Sequence, residues 1–271
     1  MLVFATDLDR TIIFSQRFLP GCKDVTLVER KQNESIAYMT GAARELLKKL
    51  ARIITVVPVT TRNREEYDRI SVLQEIDYKY CILNNGGRIY INGTEEPTWK
   101  EIIARKTAAL GKTYDEILHA FFKEFGSAGL RRYKLSGDLL WVLSVKDYFP
   151  ADRLEYFRQH AQGYGWNVAA TGKKIYLLPL FINKLAAVVY LQTNYLEDGP
   201  LVSAGDSILD RDMVTGADIG FIPRHGDIAG LKGSNVFTTV NQGMPAGEEI
   251  LKKVMAMAGR KEGCLSDDDT F

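Results

Sequence analysis

An apolar lead-in, Met1 to Ala5, runs into the string ATDLDRTI, which carries Asp7 and Asp9 two positions apart and Thr11 two further on. A short apolar run ending in turn-forming polar residues reads as a buried parallel strand, and in open α/β sheets ligands bind beyond the carboxyl ends of such strands. Because side chains alternate along an extended segment, Asp7 and Asp9 can face one reacting group while Leu8 points into the core. One carboxylate can then attack while the other handles protons. Carboxylates after a strand also serve as plain helix caps or turn formers. A D-x-D-x-T string is short, so the chemical reading depends on what the other strand ends supply.

The pattern that follows is strand, helix, strand, helix, strand. An irregular stretch leads to VTLVE and SIAYM, separated by RKQN, which reads as a hairpin flap close to Asp7. Thr40 can cap the amphipathic helix GAARELLKKLAR, and IITVVPVT follows as a second buried strand ending at Thr60 and Thr61. A helix around Glu65 to Gln74 leads to a third strand, YCILNN, ending at Gly86 and Gly87. This order implies a parallel sheet with right-handed crossovers.

The pattern then changes. From GRIYING onward come the helical stretches PTWKEIIARKTAAL and YDEILHAFFKEF and the alternating strands LRRYKL and LLWVLSV. A helix at Ala151 to Gln162 and the strands WNVAA and KKIYLLP complete the stretch. Alternating strands with short Gly and Asp turns read as an antiparallel, half-exposed sheet. The doubly wound pattern resumes with helix NKLAAVVYLQ, strand PLVSAGD, a helical turn at LDRDMV, strands DIGFI and NVFTT, and a last helix EEILKKVMAMA. The expected fold is α/β: a Rossmann-like core from residues 1–87 and 181–271, with an inserted α+β cap domain at 88–180. The polar, acidic tail KEGCLSDDDTF is expected to fray.

A length of 271 residues suits two such units, at about 150 residues per domain. With 35 Lys plus Arg against 34 Asp plus Glu, no basic stripe is expected, which argues against nucleic acid as a partner. Cys22, Cys81 and Cys264 are odd in number and far apart, against a disulfide framework or structural zinc. No apolar run reaches the roughly 18 residues needed to span a bilayer, and Asp7 comes too early for a signal-peptide apolar region, so a cytoplasmic protein without a membrane partner is expected. The oligomeric state is not legible.

The strand ends collect polar groups of one kind. Asp7 and Asp9 end the first, Thr60 the second, Lys184 opens the helix after the insert, and Gly205, Asp206, Ser207 and Asp210 follow the next strand. Each has an ordinary reading alone: Thr60 or Asp210 as a helix cap, Lys184 as a solvated residue. Their joint order makes the set specific. It resembles the haloacid dehalogenase superfamily of phosphohydrolases, with D-x-D-x-T at Asp7 to Thr11, Thr at Thr60, Lys at Lys184 and G-D-S-x-x-D at Gly205 to Asp210. An insert between the second and third motifs is similar to the cap of the branch holding sucrose-phosphate, mannosyl-phosphoglycerate and Cof-type sugar phosphatases. TTRN and NNGGRIY stand where that branch has T-G-R and N-G-A followed by an aromatic residue, which places Thr60, Arg62 and Asn85 on its pattern. Arg10, Thr61 and Leu209 depart from it.

That resemblance implies a phosphoric monoester hydrolase for a small phosphorylated metabolite. Asp7 would be the nucleophile that forms an aspartyl-phosphate, and Asp9 the acid and base. Thr60 and Lys184 would hold the phosphoryl oxygens, with Thr11, Arg62 and Asn85 also at the substrate. Asp7, Asp206 and the Asp9 carbonyl would bind the metal, and Asp210 would orient that set or contact Lys184. Electrostatics agrees. A like-charge pair at about 4 Å costs on the order of 4 kcal/mol at an effective dielectric near 20, and one lysine cannot offset four converging carboxylates. Magnesium, a hard cation taking oxygen ligands, can. In the cap, Arg131, Arg132, Lys134, Lys173 and Lys174 could meet an anion, and Tyr133 or Trp141 could stack on a sugar; a solvated basic edge and core aromatics are the ordinary alternative. A sugar phosphomutase, using the same aspartyl-phosphate, shares almost all of this signature, whereas the intact Asp7, Asp9, Lys184 and Asp206 argue against a non-catalytic phosphate-ligand sensor that kept the fold.

Overall fold

The computed structural model describes residues 1–76, 78–147 and 149–259; the acidic tail and Cys264 lie outside the described residues. Its centre is a parallel sheet of five strands in the order Val236–Thr238, Ile219–Ile222, Leu201–Ala204, Val3–Thr6, Thr55–Pro58. Val3–Thr6 is buried at every position, as a parallel strand covered on both faces must be. Its alternate residues serve opposite layers. Phe4 packs into a cluster with Leu47 of the helix Gly41–Ile53 and Ile250 of the helix Met244–Gly259, whereas Val3 and Ala5 pack with Val188 and Leu191 of the helix Lys184–Tyr195. The architecture is thus a doubly wound α/β sheet carrying separate antiparallel sheets.

Local sequence explains the elements near the sheet's carboxyl edge. The Thr40 hydroxyl accepts from the Ala43 N–H at 3.0 Å and so caps the helix Gly41–Ile53. The flap is the hairpin Val25–Lys31 with Glu34–Thr40, as expected. Three expectations differ. The helix over Glu65 to Gln74 is broken into Arg64–Asp68 and Ser71–Gln74, because the intervening Ile70 is fully buried and forms an antiparallel bridge with Glu29 of the flap. The strand Tyr80–Leu83 meets the central sheet through the parallel bridge of Val59 with Ile82, and pairs antiparallel with Arg88–Ile91 along its length. That pairing ties the start of the expected insert to the core. The helix Pro97–Ala108 follows it there, with Trp99 and Ile103 sharing a cluster with Val3 and Val57.

The cap sheet runs Trp166–Thr171, Lys174–Pro179, Leu140–Val145, Leu130–Ser136, all antiparallel. One face packs on the helices Tyr114–Phe125 and Ala151–Gln162 through Trp141, Leu143, Ile175 and Leu177 against Phe121 and Phe157. The alternating residues of the same strands, among them Arg132, Ser144, Lys174 and Tyr176, line cavities shared with the carboxyl edge of the core sheet.

Candidate active site

Adjacent strand ends set the floor of the larger cavity. The Asp7 N–H donates to the Ala204 carbonyl at 2.9 Å, which fixes Asp7 against the strand that leads to Asp206. Lys184, fully buried, places its ammonium 2.6 Å from Asp7 Oδ1 and 2.5 Å from Asp210 Oδ1. The second Asp210 oxygen accepts from the Ser207 N–H at 2.9 Å and the Ser207 hydroxyl at 2.6 Å. Thr11 donates its hydroxyl to Asp7 Oδ2 at 3.2 Å. Asp7 is therefore held from two sides.

The NNGG string builds the socket from which Lys184 projects. Asn85 donates its side-chain N–H to the Ile182 carbonyl at 3.2 Å, and Gly86, at φ +97°, lies so near Asn183 that a Cβ would stand 2.3 Å from its carbonyl oxygen. Asn85, expected at the substrate, is buried and lines neither cavity, so its contacts are with this turn. Thr60 is likewise fully buried, its hydroxyl accepting from the Arg62 N–H at 3.2 Å. Its neighbour Thr61 lines the cavity wall.

Asp9 is gripped by Arg62, whose Nε and Nη2 donate to its two oxygens at 2.7 and 2.8 Å. The same guanidinium reaches Glu29 of the flap at 2.8 Å, and that carboxylate is completely enclosed. A chain of charge thus links flap, second strand end and first strand end, which no local pattern announced. Arg62 and Lys134 line a smaller adjoining cavity of about 270 Å³, where Lys134 pairs with Glu66.

Asp206 is nearly buried and faces Arg10, with Nε 3.2 Å from Oδ2, yet neither atom has a hydrogen-bond partner. Arg10 holds a left-handed φ of +63° and also reaches Asp227 at 3.1 Å, the His225 carbonyl at 3.1 Å and Thr171 of the cap at 3.4 Å. Oxygens of Asp7, Asp206 and Asp210 lie within 4.8 Å of one another. Asp9 lies outside this trio, since its carboxylate is turned to Arg62.

Burial first, then the neighbouring Asp210, raises Asp7 above the usual carboxylate range, with Lys184 opposing. Burial likewise raises Asp206, with Asp210 and Asp7 adding to it and Arg10 opposing. Desolvation would raise Asp9 too, but Arg62 outweighs it and brings the group down to about 2. Burial would lower Lys184, yet the charges of Asp210 and Asp7 prevail and raise it.

Asp7, Asp9, Lys184, Asp206, Arg131, Arg132, Lys173 and Lys174 thus border one cavity of about 540 Å³, together with Arg10 and Ser207 of the motif strings and with Arg17 and Tyr176, which the sequence did not single out. Tyr133 and Trp141 do not: Trp141 lies in the cap core and donates its ring N–H to the Tyr114 carbonyl at 2.8 Å, and Tyr133 packs edge-on to Phe122. Lys173 donates to the Lys146 carbonyl at 2.9 Å.

No protein-family model matches the sequence, and no curated protein matches it. Solved structures do. The sucrose-phosphatase from Synechocystis, in complex with sucrose and phosphate, superposes with a TM-score of 0.66 at 18% identity, over 96% of this chain and 98% of that one. The C-terminal domain of the trehalose-6-phosphate phosphatase of C. albicans gives 0.59 at 13% identity, over 95% and 92%. A haloacid dehalogenase-like hydrolase from B. subtilis gives 0.58 at 15% identity, over 93% and 99%. The resemblance carried by Asp7, Asp9, Lys184 and Asp206 is thus joined by a shared fold: over nearly its whole length this chain has the fold of the sucrose-phosphatase, of the trehalose-6-phosphate phosphatase domain and of the haloacid dehalogenase-like hydrolase.

Proposed function

We propose that the chain is a magnesium-dependent phosphatase of a small phosphate monoester, of the sugar-phosphate kind, working through an aspartyl-phosphate on Asp7. The observation that carries this is Asp7 itself: a buried carboxylate at a cavity floor, oriented by Thr11 and Lys184, beside an Asp206 oxygen with no hydrogen-bond partner. An all-oxygen donor set whose buried Asp206 oxygen makes no hydrogen bond, only an ion pair with Arg10, fits a hard divalent cation. Asp7, Asp206 and the Asp9 carbonyl would hold it. Both Asp210 oxygens are already engaged, so Asp210 positions Lys184 and Ser207. When bound, the cation would neutralise the carboxylates and the phosphoryl group.

Asp7 attacks phosphorus in line, and Lys184 steadies the charge spread over the phosphoryl oxygens. Asp9 protonates the leaving oxygen and later takes a proton from water. Held near 2, Asp9 is ionised at neutral pH and carries no proton to donate, so the Arg62 pair has to open first; Glu29, already at 2.8 Å, is placed to keep the guanidinium. The cap acts as a lid over the leaving group. Arg88–Ile91 pairs with Tyr80–Leu83, the Trp99 ring N–H donates to the Gly86 carbonyl at 2.9 Å and the Tyr195 hydroxyl donates to Glu96 at 2.8 Å, so the moving part narrows from residues 88–180 to the module between Tyr114 and Pro179. Purified chain supplied with a panel of small phosphate monoesters is expected to release inorganic phosphate with magnesium and to stop on chelation. Turnover indifferent to chelation contradicts the reading, and an isomerised sugar phosphate without released phosphate would redirect it to a mutase.

A further inference from the structure

The chain is charge-balanced overall, yet seven arginine and lysine side chains and only three carboxylates line the larger cavity. Lys184 and Arg10 are committed to Asp7, Asp210, Asp206 and Asp227 on the core side. On the cap side, Arg131, Arg132 and Lys174 form no ion pair with a carboxylate among the described residues. Their placement is built into the sheet. Ser144 pairs across strands with Arg132 on one side and Lys174 on the other, so a hydroxyl stands between two cations in one row on the cavity face. At the next step the register jumps from Ser144 with Arg132 to Val145 with Leu130, leaving Arg131 as the extra residue of a β-bulge. Neighbours in a regular strand face opposite sides, whereas a bulge re-aims one of them. Here both arginines border the same cavity.

Like charges side by side on a sheet repel one another. A phosphate monoester brings a charge of about −2 at most, which the floor and its cation take up. On the cap wall Arg131 has no carboxylate in ion-pair reach among the described residues, and Arg132 and Lys174 have only the more distant Asp9, Glu29, Glu34 and Glu66 of the adjoining smaller cavity. We propose that the leaving group carries a second anionic group, a carboxylate or a second phosphate, which Arg131, Arg132 and Lys174 bind with Ser144 while the scissile phosphate sits at Asp7. This rests on the phosphatase reading and narrows it, since a neutral sugar as leaving group would leave three cations unanswered. Arginine offers paired donors that match carboxylate and phosphate oxygens, and the lysine a point charge.

Binding separates this inference from the chemistry. Asp7→Asn protein with magnesium, titrated calorimetrically, is expected to bind phosphoglycerate over glycerol phosphate, or fructose bisphosphate over fructose monophosphate, by about tenfold or more, the range of a hydrogen-bonded charge. The pair with the larger gap identifies the second anion as carboxylate or phosphate. Adding Lys174→Met or, separately, Arg131→Met is expected to shrink that gap to within about threefold. Equal affinities within both pairs, or a gap that survives both substitutions, would overturn the proposal. Hydrolysis of an aryl phosphate by the unsubstituted chain tests the catalytic reading alone: selective binding without any turnover would sink that reading and leave the second-anion site standing.

Discussion

The floor and the cap wall of the cavity are opposites in how their charges are held. On the floor, each ionised group faces an opposite charge at close range: Asp7 and Asp210 face Lys184, Asp9 faces Arg62, and Asp206 faces Arg10. On the wall, Arg131, Arg132 and Lys174 border the same space and form no close ion pair among the described residues, although Lys174 feels the charges of Asp9 and Glu66. A floor fixed by mutual contacts is preorganised, so it can act on a developing charge without rearranging. A wall whose cations are not locked into close ion pairs is free to respond to what enters. In the proposed phosphatase, the floor would carry the chemistry and the wall the choice of substrate.

Substitutions can break this contrast, and the largest effects belong to the floor. Asp7→Asn keeps shape but removes the nucleophile, so kcat is expected to fall by about a thousandfold or more without a lower Tm, measured by phosphate release and thermal melts. Lys184→Met would leave Asp7 and Asp210 buried without their shared cation. A cost of about 3–5 kcal/mol in denaturant unfolding is expected, together with loss of activity; an unchanged midpoint would mean that the floor is not held by this pair. Arg62→Ala removes the closer partner of the enclosed Glu29 and the grip on Asp9, with about a ten- to hundredfold drop in kcat expected.

Protons offer a gentler probe. An acid raised in the folded state binds its proton more tightly there than when unfolded, so its stabilising contribution is present below the unfolded value and lost as pH rises through the folded one. For Asp206 that window runs from 3.8 to about 9. Cation-free protein should therefore melt at progressively lower temperature across this range, and added magnesium should restore more stability at its upper end; a magnesium effect independent of pH would contradict the acidic trio as its site. The smallest effect is expected at Lys134. Its pair with Glu66 is exposed and borders the smaller cavity, so Lys134→Ala should change stability by less than about 1 kcal/mol and leave the second-anion preference in place.

What the sequence showed was whatever local chemistry determines. The strand before Asp7, the Thr40 cap and the helices Tyr114–Phe125 and Ala151–Gln162 follow from residue spacing and capping within a few positions. What it hid depends on distant partners. Nothing near Ile70 announces the bridge to Glu29 that breaks a helix, and nothing near Arg88 says that its strand returns to Tyr80–Leu83. Arg10 reads as a departure from a motif until Asp206, Asp227 and Thr171 are brought around it. The bulge at Arg131 is invisible to alternation, because it is the place where alternation fails. Thr60 and Thr61 are adjacent and alike, and only the turn of the backbone decides which one meets the cavity.

The central claim is that Asp7 carries the phosphoryl group, and the most direct test is to catch it there. Protein mixed with magnesium and a hydrolysable phosphate monoester, quenched in acid within the first turnover and digested, is examined by peptide mass spectrometry. One added phosphoryl group is expected on the peptide containing Asp7, absent after chelation and absent from Asp7→Asn. A phosphoryl group on any other residue, or full turnover in Asp7→Asn, would contradict it.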